Sequence, residues 1–296
     1  MNNIAVIGAG TMGNGIAHVF ALHGFSVQLT DLNEKQLEKA IPVISKNMDR
    51  QVQKGLISVE EKSNALLRIQ PFLKLEAGVR QADLVIEAAT ENESVKLKIF
   101  RELDELTAPQ AILASNTSSI SITKIASVTK RPGQVIGMHF MNPVPVMKLV
   151  EVINGFATKT EVTDKIIQLT GQLNKTPCVV NDYPGFIANR ILMPMINEAI
   201  ISLQEGVASV ESIDTIMKLG MSHPMGPLQL ADFIGLDVCL AILKVLYEGF
   251  GNPKYAPAGL LVNMVTSGRL GIKSGEGFYN YSNGSRELVV SSKFSN

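Results

Sequence analysis

Short apolar runs closed by turn residues alternate with longer stretches of helical period through the first half of the chain. Ile4, Ala5, Val6 and Ile7 form one such run, which ends in glycines. Residues 15–22 continue with helical spacing, and 27–30 return to a strand pattern before Asp31. Strand, turn, helix and strand within about 30 residues is the spacing of a βαβ unit. Residues 33–67 are mostly helical in pattern, with Gly55 as a break and Ser58 with Glu61 resembling a capping box for a second helix. A stretch this long exceeds a simple connection, so a helical hairpin projecting from the sheet is expected. Further strand patterns fall at 84–88, 111–114, 135–138, 149–153 and 178–180, with helix candidates at 93–106 and 119–128. Near-continuous apolar strands separated by helices favour a mostly parallel sheet covered on both faces.

The pattern changes at Asp182, Tyr183, Pro184 and Gly185. Residues 186–201 read as one long apolar helix, and 211–219, 228–247 and 257–267 also carry helical spacing. The expected organisation is an α/β domain over 1–183 and a mainly helical domain over 184–296. The helices of the second domain are apolar over wide faces, which fits a homodimer formed through it or simple packing among themselves.

Composition narrows the function classes. The chain has 296 residues, 46% hydrophobic and 18% charged, a globular composition too apolar for extensive disorder. Its 27 basic residues balance 27 acidic ones, so no broad basic face for nucleic acid is expected, although a local anion pocket remains compatible. Cys178 and Cys239 are too few and too separated for a disulfide scaffold or a thiolate metal site. Charged and polar residues such as Asn189, Arg190, Glu198 and Asp232 interrupt the apolar stretches, and the first residues lack a leader pattern. A cytoplasmic protein with no membrane partner is the expectation. Neither a metal-ligand motif such as H-E-x-x-H nor a P-loop lysine is found.

Candidate chemistry begins at Gly8, Ala9, Gly10, Thr11, Met12 and Gly13, a G-x-G-x-x-G sequence between a strand and a helix. Gly8 allows a tight turn, Gly10 the approach of a pyrophosphate and Gly13 close helix–strand packing, while the helix N-terminus offers N–H donors. Asp31, at the end of the second strand, can accept from an adenosine ribose and repels a 2′-phosphate, favouring NAD over NADP; capping of the next helix is its alternative use. His139 follows an apolar strand, where imidazole can exchange the proton that hydroxyl oxidation or carbonyl reduction requires. Glu151 lies within another apolar strand and needs a partner if buried; it either supports His139 or faces water from an edge. Beyond the strand at 111–114, Ser118 could bond a substrate oxygen and Asn116 a nicotinamide or its ribose, with N-capping by Ser118 or Ser119 as the alternative. Asn189, early in the long helix, either reaches the reacting group or satisfies interior backbone groups.

The chain resembles the L-3-hydroxyacyl-CoA dehydrogenase family. The resemblance covers essentially the whole length and rests on GAGTMGNGIA from Gly8, ADLVIEAATEN from Ala82, ASNTSS from Ala114, HFMNPVPVMKLVEVI from His139, DYPGFIANR from Asp182, HPMGPLQLADFIGLD from His223 and GRLGIKSGEGFYNY from Gly268. It implies a Rossmann-type NAD-binding domain followed by a helical substrate-binding and dimerisation domain. It also implies NAD-dependent oxidation of a 3-hydroxyacyl-CoA thioester, with short acyl chains favoured. His139 and Glu151 then correspond to the catalytic pair, and Ser118 and Asn189 to the residues that bind the substrate's reacting region. NAD contacts are implied for Gly8, Gly10, Gly13, Asp31, Glu91, Lys96, Asn116, Asn142 and Lys273, and a contact near the CoA phosphates for Lys54.

Overall fold

A computed structural model describes residues 1–282 and 288–295. The chain divides into two compact units, Met1–Tyr183 and Pro184–Asn296.

In the first unit the strands are β1 (Asn3–Ile7), β2 (Ser26–Thr30), β3 (Ile69–Phe72), β4 (Leu84–Glu87), β5 (Ile112–Ser115), β6 (Val135–Phe140), β7 (Leu149–Asn154) and β8 (Thr176–Asn181). The helices are α1 (Thr11–Leu22), α2 (Glu34–Gln53), α3 (Val59–Leu67), α4 (Leu75–Val79), α5 (Glu93–Leu106), α6 (Ile122–Ala126) and α7 (Thr160–Gln172). All eight strands form one sheet in the order β3-β2-β1-β4-β5-β6-β7-β8. Every pairing is parallel except β6 with β7, which is antiparallel. The chain leaves β1 toward β2 on one side and later returns to β4 on the other. This places a topological switch point at the C-terminal end of β1, where open α/β sheets take their ligands.

The strands are apolar on both faces because both are covered. Ile4, Val6, Leu29, Ile86 and Val152 share a buried core with Phe20 of α1, Ile44 of α2 and Ile166 of α7. Alternate positions, such as Ala5, Val85 and Leu113, point the other way, toward the side of α4, α5 and α6. The capping box of Ser58 and Glu61 is formed, with Oγ accepting at 3.0 Å and the carboxylate at 2.6 Å. The hairpin lies along α1, burying Leu37, Ala40, Ile44, Met48 and Ala65, so it does not stand clear of the sheet as its length suggests. Helix α6 is shorter than the 119–128 pattern, because Ser121 caps it by accepting from the Lys124 N–H.

The second unit contains α8 (Ala188–Gln204), α9 (Val210–Thr215), α10 (Pro227–Ile234), α11 (Leu236–Phe250), α12 (Gly259–Thr266) and a short antiparallel pair, β9 (Tyr279–Asn280) with β10 (Val289–Val290). Its core gathers Met193, Ile196 and Ile200 of α8 with Leu228, Leu243, Leu261 and Phe278. The helical pattern over 228–247 is divided in two at Gly235, whose φ of 103° stops one helix and starts the next. Among the described residues no helix is long and apolar enough to cross a membrane.

Candidate active site

The glycine turn sits at the switch point. Gly8 has φ +98°, and a Cβ there would lie 2.6 Å from the Ala88 carbonyl oxygen. Its N–H donates to Thr30 at 2.7 Å, tying the turn to the end of β2. A Cβ on Gly13 would overlap the Gly8 carbonyl, whereas at Gly10 the nearest atom would be 3.8 Å away. Two of the three glycines are therefore demanded by chain packing, and the third faces open space. Helix α1 starts after Gly10 with no side-chain cap and no acidic residue in its first turn, so its dipole and N–H groups are left for an anion.

Asp31 accepts from the Ala9 N–H through Oδ2 and from the Asn33 N–H through Oδ1, both at 2.8 Å. It thus braces the turn, while Asn33 caps α2. Thr11, Met12 and Asp31 line a cavity of about 770 Å³ with Gly8, Gly10 and Leu32. That volume is of the size that holds a cofactor portion. The unhindered approach at Gly10, the uncapped helix and the carboxylate beyond β2 fit the pyrophosphate and ribose of NAD.

The second cluster lies at the same edge of the sheet, on β6 and β7, three and four strands along from β1. Antiparallel pairing sets His139 directly opposite Glu151, and His139 Nδ1 lies 2.8 Å from Glu151 Oε2. Glu151 is only 2% exposed, which excludes the water-facing alternative. An ionised carboxylate can only accept, so the hydrogen is on Nδ1 and Nε2 is the basic nitrogen. After β6, Asn142 enters a cis peptide with Pro143. The Lys175 ammonium, donating to the carbonyls of Val144 and Met147 at 2.7 and 2.6 Å, holds the loop that follows.

Between the two clusters runs the segment after β5. Asn116 accepts from the Phe140 N–H at 2.9 Å, joining this segment to the end of β6 beside His139. Oε1 of Glu91 accepts from Thr117 Oγ1 at 2.6 Å, from the N–H and Oγ of Ser118 at 2.9 and 3.2 Å, and from the N–H and Oγ of Ser119 at 3.1 and 2.9 Å. Neither Ser118 nor Ser119 caps α6, since Ser121 does. Burial pushes the Glu91 carboxyl up, but the Lys96 ammonium and the hydrogen bonds from Thr117, Ser118 and Ser119 hold it below the usual range. Lys96 is 1% exposed and bonds both oxygens of Glu87 at 2.7 and 2.8 Å.

Glu87 and Ser115 are the polar residues here that sequence reasoning passed over. The signal was available: Glu87 ends a wholly apolar strand, as Glu151 interrupts one, and a buried acid needs a partner. Lys54, at the C-terminal end of α2, is exposed. In the second unit, Asn189 is buried in the first turn of α8. Lys273 lies in a short turn, Ile272–Ser274, and pairs with Asp237.

Comparison with known proteins gives two family matches that together span nearly the whole chain. Residues 3–183 match the 3-hydroxyacyl-CoA dehydrogenase NAD-binding domain, and residues 185–281 match the 3-hydroxyacyl-CoA dehydrogenase C-terminal domain. A 3-hydroxybutyryl-CoA dehydrogenase of Bradyrhizobium diazoefficiens is 53% identical over 281 residues, covering 95% of this chain and 96% of that protein. One from Clostridioides difficile is 49% identical over 278 residues, covering 94% and 99%. The crystal structure of (S)-3-hydroxybutyryl-CoA dehydrogenase PaaH1 from Ralstonia eutropha superposes with a TM-score of 0.92 at 48% identity, covering 95% of this chain and 99% of that one.

Proposed function

The chain belongs to the 3-hydroxyacyl-CoA dehydrogenase family, and from that premise we propose that it interconverts (S)-3-hydroxybutanoyl-CoA and acetoacetyl-CoA with NAD. It is an oxidoreductase acting on CH–OH, and its first domain is of the NAD-binding Rossmann type. The observation that carries the mechanism is the His139–Glu151 pair at 2.8 Å, at the sheet edge that also bears the glycine turn.

Bound NAD supplies the hydride acceptor. As the C3–H bond of the substrate breaks, Nε2 of His139 takes the C3 hydroxyl proton, and Glu151 supports the imidazolium that results. In the reverse direction the protonated ring returns its proton to the C3 oxygen. Ser118 and Asn189 are assigned to that oxygen, with Glu91 fixing the Ser118 backbone through its N–H and the single hydroxyl hydrogen turning from Glu91 to the C3 oxygen when substrate binds. The turn from Gly8 to Gly13 is assigned to the pyrophosphate, Asp31 to the adenosine ribose, and Glu91, Lys96, Asn116, Asn142 and Lys273 to the rest of the cofactor's surroundings. Lys54 is assigned to the CoA phosphates.

Acetoacetyl-CoA and free acetoacetate, compared at equal NADH in a spectrophotometric assay, separate this reading from a dehydrogenase of small free 3-hydroxy acids. Turnover is expected with the thioester alone; comparable turnover of the free acid overturns the thioester assignment. For the cofactor, the NADH dissociation constant is expected to lie at least about tenfold below that of NADPH, because Asp31 repels a 2′-phosphate. Asp31→Ala should narrow that ratio and also loosen the turn, since the Ala9 and Asn33 N–H groups lose their acceptor. A ratio unchanged in this variant removes Asp31 from the ribose site.

A homodimer through the helical domain and a cytoplasmic location are further parts of the proposal. Ile191, Leu219 and Phe233 are exposed apolar residues of that domain, which supports an interface there. Light scattering at micromolar concentration is expected to give twice the chain mass, and a monomer defeats the dimer.

A further inference from the structure

The polar cluster at the ends of β4 and β5 is wholly buried, and the mechanism gives its Glu87 and Ser115 no part. Glu87 has no exposed surface, and its carboxylate joins three segments of chain. It accepts from Ser115 Oγ at the end of β5 at 2.7 Å, from the Ala89 N–H after β4 at 2.8 Å, and from Lys96 of α5 at 2.7 and 2.8 Å. Its main-chain carbonyl accepts from the Asn116 N–H at 2.7 Å. The Lys96 ammonium, held on both oxygens of Glu87, also lies 3.5 Å from Oε2 of Glu91, whose Oε1 collects the Thr117, Ser118 and Ser119 donors.

We infer that Glu87, acting through Lys96, is a positioning residue for Ser118, an inference that rests on the substrate role proposed for that serine. Buried charges are justified when each has its partner and the pair is put to use. An ammonium has three N–H groups, and Glu87 fixes the direction of the whole set. What remains is aimed at Glu91, the ionised acceptor that holds the N–H of Ser118 and orients its hydroxyl until substrate takes that hydrogen. The same carboxylate of Glu87 sets the end of β5 through Ser115, three residues before Ser118. The serine is thus located from both sides by one buried acid that touches neither substrate nor Ser118 itself.

The test is a cycle between Ser118→Ala and the paired variant Glu87→Gln/Lys96→Met, which removes both buried charges together so that neither is left alone. Relative to the wild type, the paired variant is expected to raise the acetoacetyl-CoA KM about fivefold to tenfold, the effect of a displaced hydrogen bond, when measured at saturating NADH so that the loss of Lys96 from the cofactor's surroundings does not enter it. In the Ser118→Ala background it should add nothing further. The acid limb of the KM profile should also move to higher pH, because Glu91 loses its cation. An additive effect, an unmoved thioester KM, or a weakened NADH affinity with unmoved thioester KM overturns the inference while leaving the role of Ser118 standing. Normal kinetics in Ser118→Ala itself overturn both. Ser115→Ala removes one bond and no charge, and should give a smaller rise of the same kind. If the paired variant does not fold, an unchanged thioester KM in Ser115→Ala overturns the inference.

Discussion

Replacing His139 with alanine is expected to lower kcat by about 10³-fold, within the range that a positioned general acid–base supplies. The NADH dissociation constant should stay within about twofold, because the glycine turn follows β1, three strands away from the β6 that carries the ring. The alanine variant also takes the Nδ1 hydrogen bond from the carboxylate of Glu151, which is only 2% exposed. A loss of stability of about 1–3 kcal/mol follows from that alone. His139→Gln separates the two effects, since its amide can still donate to Glu151 but cannot serve as a base. It should fold like the wild type and remain as slow as the alanine variant. Wild-type turnover in either variant removes His139 as the base.

Glu151→Gln should reduce kcat by about 10²-fold with little change in the KM for NADH. An amide opposite Nδ1 can still accept its hydrogen, but it carries no charge to stabilise the imidazolium, and its rotated form favours the other tautomer. Because ring and carboxylate act as one unit, the double variant His139→Ala/Glu151→Gln should be no slower than His139→Ala. Stopped-flow measurement of single-turnover oxidation of NADH reads this without interference from product release. Multiplying effects, on the order of 10⁵-fold together, would mean that Glu151 acts on something other than the histidine.

Much of this arrangement was legible in the sequence, because the strands are buried on both faces and so read as unbroken apolar runs. The glycine turn was legible because its steric demands are local: the carbonyl of Gly8 leaves no room for a side chain at Gly13. Strand β3 was not, since Gln70 and Pro71 interrupt it; Pro71 is tolerated because β3 is an edge. The amphipathic α7 was passed over between two strand patterns, and α10 and α11 were merged because a single glycine gives little warning of a positive φ. At the site, residue type was readable but partnership was not. His139 and Glu151 stood twelve positions apart with the strand reversal between them unknown, and only the antiparallel register makes them neighbours. Likewise, local rules allowed Asp31, Ser118 and Ser119 as helix caps, whereas tertiary bonds to Ala9 and Glu91 engage those residues and the local caps are Asn33 and Ser121.

The antiparallel junction between β6 and β7 has a consequence for how such a site can vary. The distance from imidazole to carboxylate is fixed by the lateral spacing of two hydrogen-bonded strands, not by the connection that joins them. Beyond Asn142, residues 143–148 can therefore lengthen, shorten or change character while the proton-handling pair stays in place. Slippage is what the pair cannot survive: one position would turn the acid to the opposite face, and two would carry it about 6.8 Å along the strand. The shape of this connection and the proton-handling pair beside it are thereby separable, so that the loop can be redrawn without retuning the base.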